Sequence, residues 1–316
     1  MTMAATMLPE TPSFEHVSVL LDEVMQALAP RSGGIYVDVT AGGAGHSYAL
    51  LDRQPGARLV AFDRDPLAVD AATRRLAPFG DRARVVHGSF EDVEGWLHGE
   101  GITEVDGLFA DLGVSSPQLE DPERGMSFRF EGPLDMRMDP TSGDTALDLI
   151  ERLSQDELAD AIYHFGGEHR SRRVARCIKQ ALEAGELTTT LDLRRAVVRA
   201  VGPRRIGGVD PSTRTFQALR ILVNGELSQL EGLLGLVERI IRPGGIAAII
   251  SFHSLEDRLV KRAFAQRGAW ERLTKKPVVP GEVELANNPR SRSAKLRAAR
   301  RAEAVVEFDS EGEEDE

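Results

Sequence analysis

The chain is short of three things, and each shortage removes a class of protein. It has one cysteine, Cys177, in 316 residues. No internal disulfide and no cysteine-only metal cage can form, so no metal is expected, and a reducing, cytoplasmic compartment fits. It has no apolar run near the ~20 residues of a membrane span, so no membrane partner is expected. Its first 16 residues lack the charged-then-apolar build of a signal peptide, and 1–15 read as a disordered N-terminal arm. The third shortage is of positive charge: the formal net charge is −11, which on its face argues against a nucleic-acid partner.

The charge is unevenly spread. Residues 302–316 carry eight acids and no base and read as an acidic disordered tail, which leaves the remainder near −3. Glu168 to Arg205 holds ten Lys/Arg against four acids, and Arg290 to Arg301 holds six bases and no acid. The tail therefore masks a body with basic stretches. Hydrophobic residues make up 41% of the chain, enough for one large α/β domain with an insertion or for two domains.

Four short apolar runs, Ile35–Val39, Leu59–Phe62, Ala83–Val86 and Gly107–Ala110, alternate with segments of helical spacing. That alternation predicts an α/β fold with a parallel sheet and helices on both faces. It stops at Ser115, where Gly, Pro, Asp and Ser dominate to about Asp144. Helical patterns without strands follow. Ser154 with Glu157 makes a capping box, and Thr190 reads as an N-cap. One long helix is predicted from Arg214 to about Ile241, stopped by Pro243-Gly244-Gly245. Ile246–Ser251 then resumes the sheet, Leu255–Phe264 reads as a helix, and two weak strands are marked at 270–274 and 295–301. The organisation read is a discontinuous domain over 16–114 and 213–301 with an inserted loop and helical substrate domain over 115–212.

The segment Asp38-Val39-Thr40-Ala41-Gly42-Gly43-Ala44-Gly45-His46 follows a strand and opens a helix. Its glycines permit a tight turn and close backbone approach to a ligand. Asp63 ends the next strand, 18 residues beyond Gly45, where an acid suits the two hydroxyls of a ribose. The pair points to an adenosine-containing cofactor; the plainer alternative is a structural turn and a surface acid. A pyrophosphate site wants G-x-G-x-x-G at a helix N-terminus. Here Asp38 precedes Gly42-Gly43-x-Gly45, and an acid there would repel a pyrophosphate but suit the cationic amino-acid end of S-adenosylmethionine.

Asp111 opens Asp111-Leu112-Gly113-Val114-Ser115-Ser116-Pro117-Gln118 at the end of the fourth strand, beside the cofactor's reactive end. Its carboxylate could accept a hydrogen bond from an exocyclic amine and aim the nitrogen lone pair, or it could simply cap a helix. His253, in Ser251-Phe252-His253-Ser254, ends the strand after the insertion and is either a second chemical group or a buried, hydrogen-bonded histidine. Phe252 stacks on a base or packs in the core. Arg170, Arg172, Arg173, Arg194, Arg195, Arg204 and Arg205 form the arginine-rich part of the insertion and would meet RNA phosphates, unless they are a solvated face. Cys177, beside Val174 and Ile178, is expected in the core.

At these residues the chain resembles the MraW/RsmH family of 16S ribosomal RNA cytosine-N4 methyltransferases. The resemblance runs from about His16 to Arg301. It is most specific in Gly132-Pro133-Leu134-Asp135-Met136-Arg137-Met138-Asp139 and Thr213-Arg214-Thr215-Phe216-Gln217-Ala218-Leu219-Arg220-Ile221. It implies a Rossmann-like class I S-adenosylmethionine methyltransferase sheet with an inserted helical domain. It implies cofactor contacts at Ala44, Gly45, His46, Asp63, Phe90, Asp111 and Gln118. It implies a decoding-region cytosine as target, on a small ribosomal subunit rather than a free nucleotide. A homodimer is compatible with it, but the oligomeric state is not fixed. The chain departs from the family at Ala44, where glycine is usual, at Asp210-Pro211-Ser212-Thr213 and at Phe165-Gly166-Gly167-Glu168. Two other readings stay open: a non-catalytic ribosomal RNA-binding or assembly factor, and a nucleotide-cofactor oxidoreductase.

Overall fold

The structure is a computed structural model and describes residues 18–203 and 210–303. The arm read at 1–15, Arg204, Arg205 and residues 304–316 of the acidic tail lie outside the described residues. Seven strands form one sheet: β1 (Ile35–Asp38), β2 (Arg58–Asp63), β3 (Ala83–His87), β4 (Val105–Asp111), β5 (Ile241–Ser251), β6 (Trp270–Arg272) and β7 (Lys295–Arg301). Their order is β3-β2-β1-β4-β5-β7-β6. β1 to β5 pair in parallel, and β7 runs antiparallel to both β5 and β6.

The central strands are apolar almost throughout because helices cover both faces. Successive side chains alternate between two cores. Leu59, Ala61, Phe109, Ile250 and Leu296 face one helical layer, and Val60, Phe62, Leu108, Ile249 and Ala299 face the other. β3, at the edge, leaves Arg84 and His87 exposed. All the apolar runs singled out above become strands, including the weakly marked pair.

Two predicted elements change. The pattern from Arg214 to Ile241 is not one helix but two, Thr213–Asn224 and Glu226–Ile240, broken at Gly225, whose φ of 57° closes the first helix in the left-handed region. The apolar periodicity runs through the break because both helices bury one face, and a lone glycine is a weak stop signal. Nor does Pro243-Gly244-Gly245 separate helix from strand. The helix ends at Ile240, β5 pairs from Ile241, and the three residues bulge where the β4 register shifts between Val105 and Gly107. The Ser154–Glu157 capping box forms as read. The N-cap read at Thr190 is Thr189, which accepts from the Asp192 amide, while the Thr190 hydroxyl donates to the Phe130 carbonyl at 2.6 Å.

Between β4 and β5 the chain builds a third core. Helices Ala146–Arg152, Gln155–Gly166, Ser171–Glu183, Thr190–Val201 and Thr213–Asn224 bring Ile150, Leu158, Ile162, Ile178, Leu193 and Leu219 together. Cys177 is buried there, as expected. Leu134 and Met136 join this core from the loop after β4, so that loop is a seam between sheet and helices. Among the described residues, no helix is long and apolar enough to cross a membrane.

Candidate active site

The chain runs from β1 outward to β2 on one side, whereas β4 lies on the other, and the crevice opens where strand order reverses. A cleft of about 1320 Å³, counting its mouth, crosses these carboxyl ends. Gly42 turns the chain at φ 49°, and its amide donates to Asp63 Oδ2 at 2.7 Å. Gly45 opens the next helix against Ser18. A Cβ at position 45 would stand 1.8 Å from Ser18 Oγ, so any other residue here would force the Ser18 hydroxyl to turn away. Ala44 sits at φ 56° and is fully buried beneath the loop, off the cleft wall. The left-handed conformation costs a non-glycine residue roughly 1 kcal/mol, which is the physical content of this departure from the resemblance.

Three carboxylates end neighbouring strands, and only two reach the cleft. Asp63 lines it, with Oδ1 accepting from the Asp65 amide at 2.9 Å. Burial, aided by the Asp65 charge and opposed by its amide donors and Arg64, pushes its carboxyl up to about 6. Asp111 also lines the cleft. Its amide donates to Thr40 Oγ1 at 2.6 Å, but its Oδ1 is buried with no hydrogen-bond partner among the described residues. Burial first, then the Asp38, Glu256 and Glu284 charges, push Asp111 up to about 8. A buried acceptor left unpaired is costly unless a ligand meets it.

Asp38 is set back from the cleft. Its Oδ2 accepts from Ser47 Oγ at 2.5 Å and its Oδ1 from the Thr40 amide at 3.0 Å. Its carboxyl, pushed up to about 7 chiefly by burial, fastens the loop from below. Both of its oxygens face protein donors, and the direct cofactor contact expected above stays a proposal.

His253 is likewise off the cleft wall. Its Nδ1 accepts from the Glu256 amide at 3.4 Å, capping helix Ser254–Ala263, while Glu256 Oε2 accepts from the Phe252 amide at 2.8 Å. Burial opposes ionising Glu256, but His253, the Phe252 amide and Arg220 outweigh it and hold the carboxyl below its ordinary range. Glu226, His253 and Glu256 bring ligand atoms within 4.8 Å of one another. Arg220 already binds both oxygens of Glu226, at 2.7 and 2.9 Å, and an accepting Nδ1 puts the imidazole proton on Nε2. Within this cluster Arg220 and Glu226 form the ion pair, and His253 Nε2 lies 3.2 Å from Glu256 Oε1. His253→Asn, which keeps a capping acceptor, is expected to retain turnover within about threefold and to cost no more than about 1 kcal/mol in a denaturant melt. A hundredfold fall in kcat would restore a chemical role.

Gly45, His46, Phe90 and Gln118 all line the cleft. His46 Nε2 lies 2.9 Å from the Val19 carbonyl. The Gln118 amide bridges protein groups, accepting from the Ser115 amide at 3.0 Å and donating to Asp65 Oδ2 at 2.8 Å. Phe252 forms part of the wall, its ring 3.5 Å from where a Cβ on Gly113 would lie. Ser18, Met138, Glu226, Gln229, Asn288 and Arg290 also line the cleft and were missed. Met138 lies within the Gly132–Asp139 string that carries the resemblance, and Arg290 opens the basic stretch Arg290–Arg301.

The arginines of the insertion are less free than their count suggests. Arg172 pairs with Asp156 at 2.9 Å, Arg194 with Asp210 at 2.9 Å, Arg195 with Asp192, and Arg170 donates to the Val201 carbonyl at 3.3 Å. Arg173 and Arg176 are exposed on the outer face of helix Ser171–Glu183.

Carboxylates at the ends of three neighbouring strands, one with an orphaned oxygen, fit a ligand carrying positive charge and a ribose, and oppose a pyrophosphate. With β7 reversed beside β5, this makes the chain a class I S-adenosylmethionine-dependent methyltransferase of Rossmann-like fold. More narrowly, it belongs to the MraW methylase family, whose model matches residues 13–302. It is similar to proteins named ribosomal RNA small subunit methyltransferase H. The one from Sorangium cellulosum is 64% identical over 301 residues, covering 94% of this chain and 95% of that one. That from Prochlorococcus marinus is 50% identical over 304 residues, covering 94% and 96%. That from Deinococcus radiodurans is 47% identical over 293 residues, covering 93% and 92%.

Proposed function

We propose that the chain methylates the N4 amine of a cytosine in the decoding region of 16S ribosomal RNA, on the small ribosomal subunit. The observation that carries this reading is Asp111: a carboxyl on the cleft wall, at the end of β4, with a buried oxygen that nothing among the described residues satisfies. The family and the names of the relatives supply the RNA; Asp111 supplies the chemistry.

When bound, S-adenosylmethionine supplies an electrophilic methyl on a sulfonium. Asp63 would hold its ribose, the Gly42–Gly45 backbone would let its amino-acid end approach, and Phe90 would lie against the adenine side. Asp111 accepts a hydrogen bond from the exocyclic amine, which fixes the amine and turns its lone pair toward the methyl. As the nitrogen gains its new bond it becomes acidic, and the ionised form of Asp111 takes the released proton; with the carboxyl raised to about 8 in the empty cleft, that form grows as pH rises toward 8. The exposed Arg173 and Arg176, with the helical core behind them, form the phosphate-facing part of the insertion.

The test is transfer of labelled methyl groups from S-adenosylmethionine to small subunits isolated from cells lacking the protein. Label should enter the assembled subunit and not free cytidine. A folded protein that binds S-adenosylhomocysteine yet labels no RNA would contradict the reading and favour a non-catalytic assembly role.

A further inference from the structure

The cofactor loop and the helical unit are joined through one buried cation that the chemistry above does not use. Arg124 is 7% exposed, and its guanidinium reaches in two directions. Nη1 donates to Asp65 Oδ2 at 2.8 Å; Nη2 donates to the Met138 carbonyl at 2.6 Å and the Arg137 carbonyl at 3.2 Å. Asp65 is 2% exposed and also accepts from Gln118, and its own amide donates to Asp63. The acid that suits the ribose and the Gln118 segment after β4 are thus joined at Asp65, which one guanidinium ties to the strap 132–139.

The strap is fastened equally to the helices. Asn224 ends helix Thr213–Asn224; its Oδ1 accepts from the Met138 amide at 2.7 Å and its Nδ2 donates to the Met136 carbonyl at 2.8 Å. The Asn224 carbonyl accepts from Arg64, next to Asp63, at 3.1 Å. Leu134 and Met136 are in the helical core, and Pro133 bridges to Thr189. Met138 itself lines the cleft. At Gly125 a Cβ would stand 2.1 Å from the Pro133 carbonyl, so the strap is packed hard against the turn that carries Arg124.

Resting on the reading of a cofactor in the cleft and RNA on the helices, we propose that Arg124 is a positioning residue. Its fork makes cofactor binding and small-subunit binding favour each other, by holding strap 132–139 in one register against the ribose loop. A lysine would keep a charge for Asp65 but cannot span a carboxylate and two carbonyls at once. A binding partner that orders one side of the seam then orders the other, and the coupling is reciprocal.

The experiment measures the affinity of the full-length chain for unmethylated small subunits with and without saturating S-adenosylhomocysteine. It also measures the affinity for S-adenosylhomocysteine alone. In the wild type, S-adenosylhomocysteine should tighten subunit binding by about tenfold. In Arg124→Lys the ratio should fall below about twofold, with the affinity for S-adenosylhomocysteine alone kept within about threefold. Asn224→Ala loosens the strap from the helical side without touching Asp65 and should give the same loss, so failure of one variant to fold leaves the other as the test. Variants that keep the wild-type ratio would overturn the inference, as would a wild type with no ratio to lose. A wild type that binds no subunits at all would instead sink the functional reading on which it rests.

Discussion

Asp111→Asn is expected to lower methyl transfer to the small subunit by about 10²–10⁴-fold and, at the same time, to make the cofactor-free protein more stable. The two effects share one cause. The Asp111 carboxyl is desolvated, feels Asp38, Glu256 and Glu284, and is raised to about 8. In the unfolded chain it titrates near 4. Between those values the folded state holds more protons than the unfolded one, so stability is full below about pH 4 and falls as pH rises to about 8. Asp38, at about 7, and Asp63, at about 6, act in the same sense. An amide at position 111 carries no charge to desolvate, so at pH 8 the variant should gain roughly 1–3 kcal/mol, well under the full shift because the cleft is open to water. Its melting temperature should depend less on pH between 7 and 8 than that of the wild type. The amide cannot take a proton from the attacking nitrogen, so turnover is lost while the affinity for S-adenosylhomocysteine stays within about tenfold. Lost turnover together with lower stability would mean that Asp111 is a structural acceptor.

Asp63→Ala should separate from this cleanly. Charge-assisted hydrogen bonds to two ribose hydroxyls are worth about 1.5–3 kcal/mol each before the loop's own losses are counted. The affinity for S-adenosylmethionine should weaken by about 10²-fold or more by titration calorimetry. The Gly42 amide, which donates to Asp63 at 2.7 Å, would lose its acceptor and add to the effect. At saturating S-adenosylmethionine, kcat should recover to within about tenfold. A variant with unchanged affinity and a collapsed kcat would place Asp63 at the reacting centre instead.

The parts of this site that could be read from the chain are those lying within a few residues of a strand end. Asp63 and Asp111 terminate β2 and β4, and the glycine turn follows β1, so spacing alone locates them. What could not be read depends on which way a side chain turns. That Asp38 turns its oxygens to Ser47 and Thr40, and that His253 caps the helix that follows it, has no signal in the local sequence. The arginine tally likewise ignored partners such as Asp210, which faces Arg194 across 16 residues of sequence. The seam was hidden for a different reason: Arg124 and Asp65 are 59 residues apart and Met138 and Asn224 are 86 apart. Only the packing of the insertion against the sheet brings them together, and no local periodicity encodes it. The break at Gly225 was missed because both helices bury apolar faces with a continuous rhythm.

The most direct measurement is mass spectrometry of 16S ribosomal RNA from cells lacking the protein, before and after small subunits are treated with the enzyme and S-adenosylmethionine. The account predicts that a single cytosine in the decoding region gains one methyl on N4, and that Asp111→Asn leaves it unmodified. A methyl on another base or at a carbon, or full modification by Asp111→Asn, would contradict it.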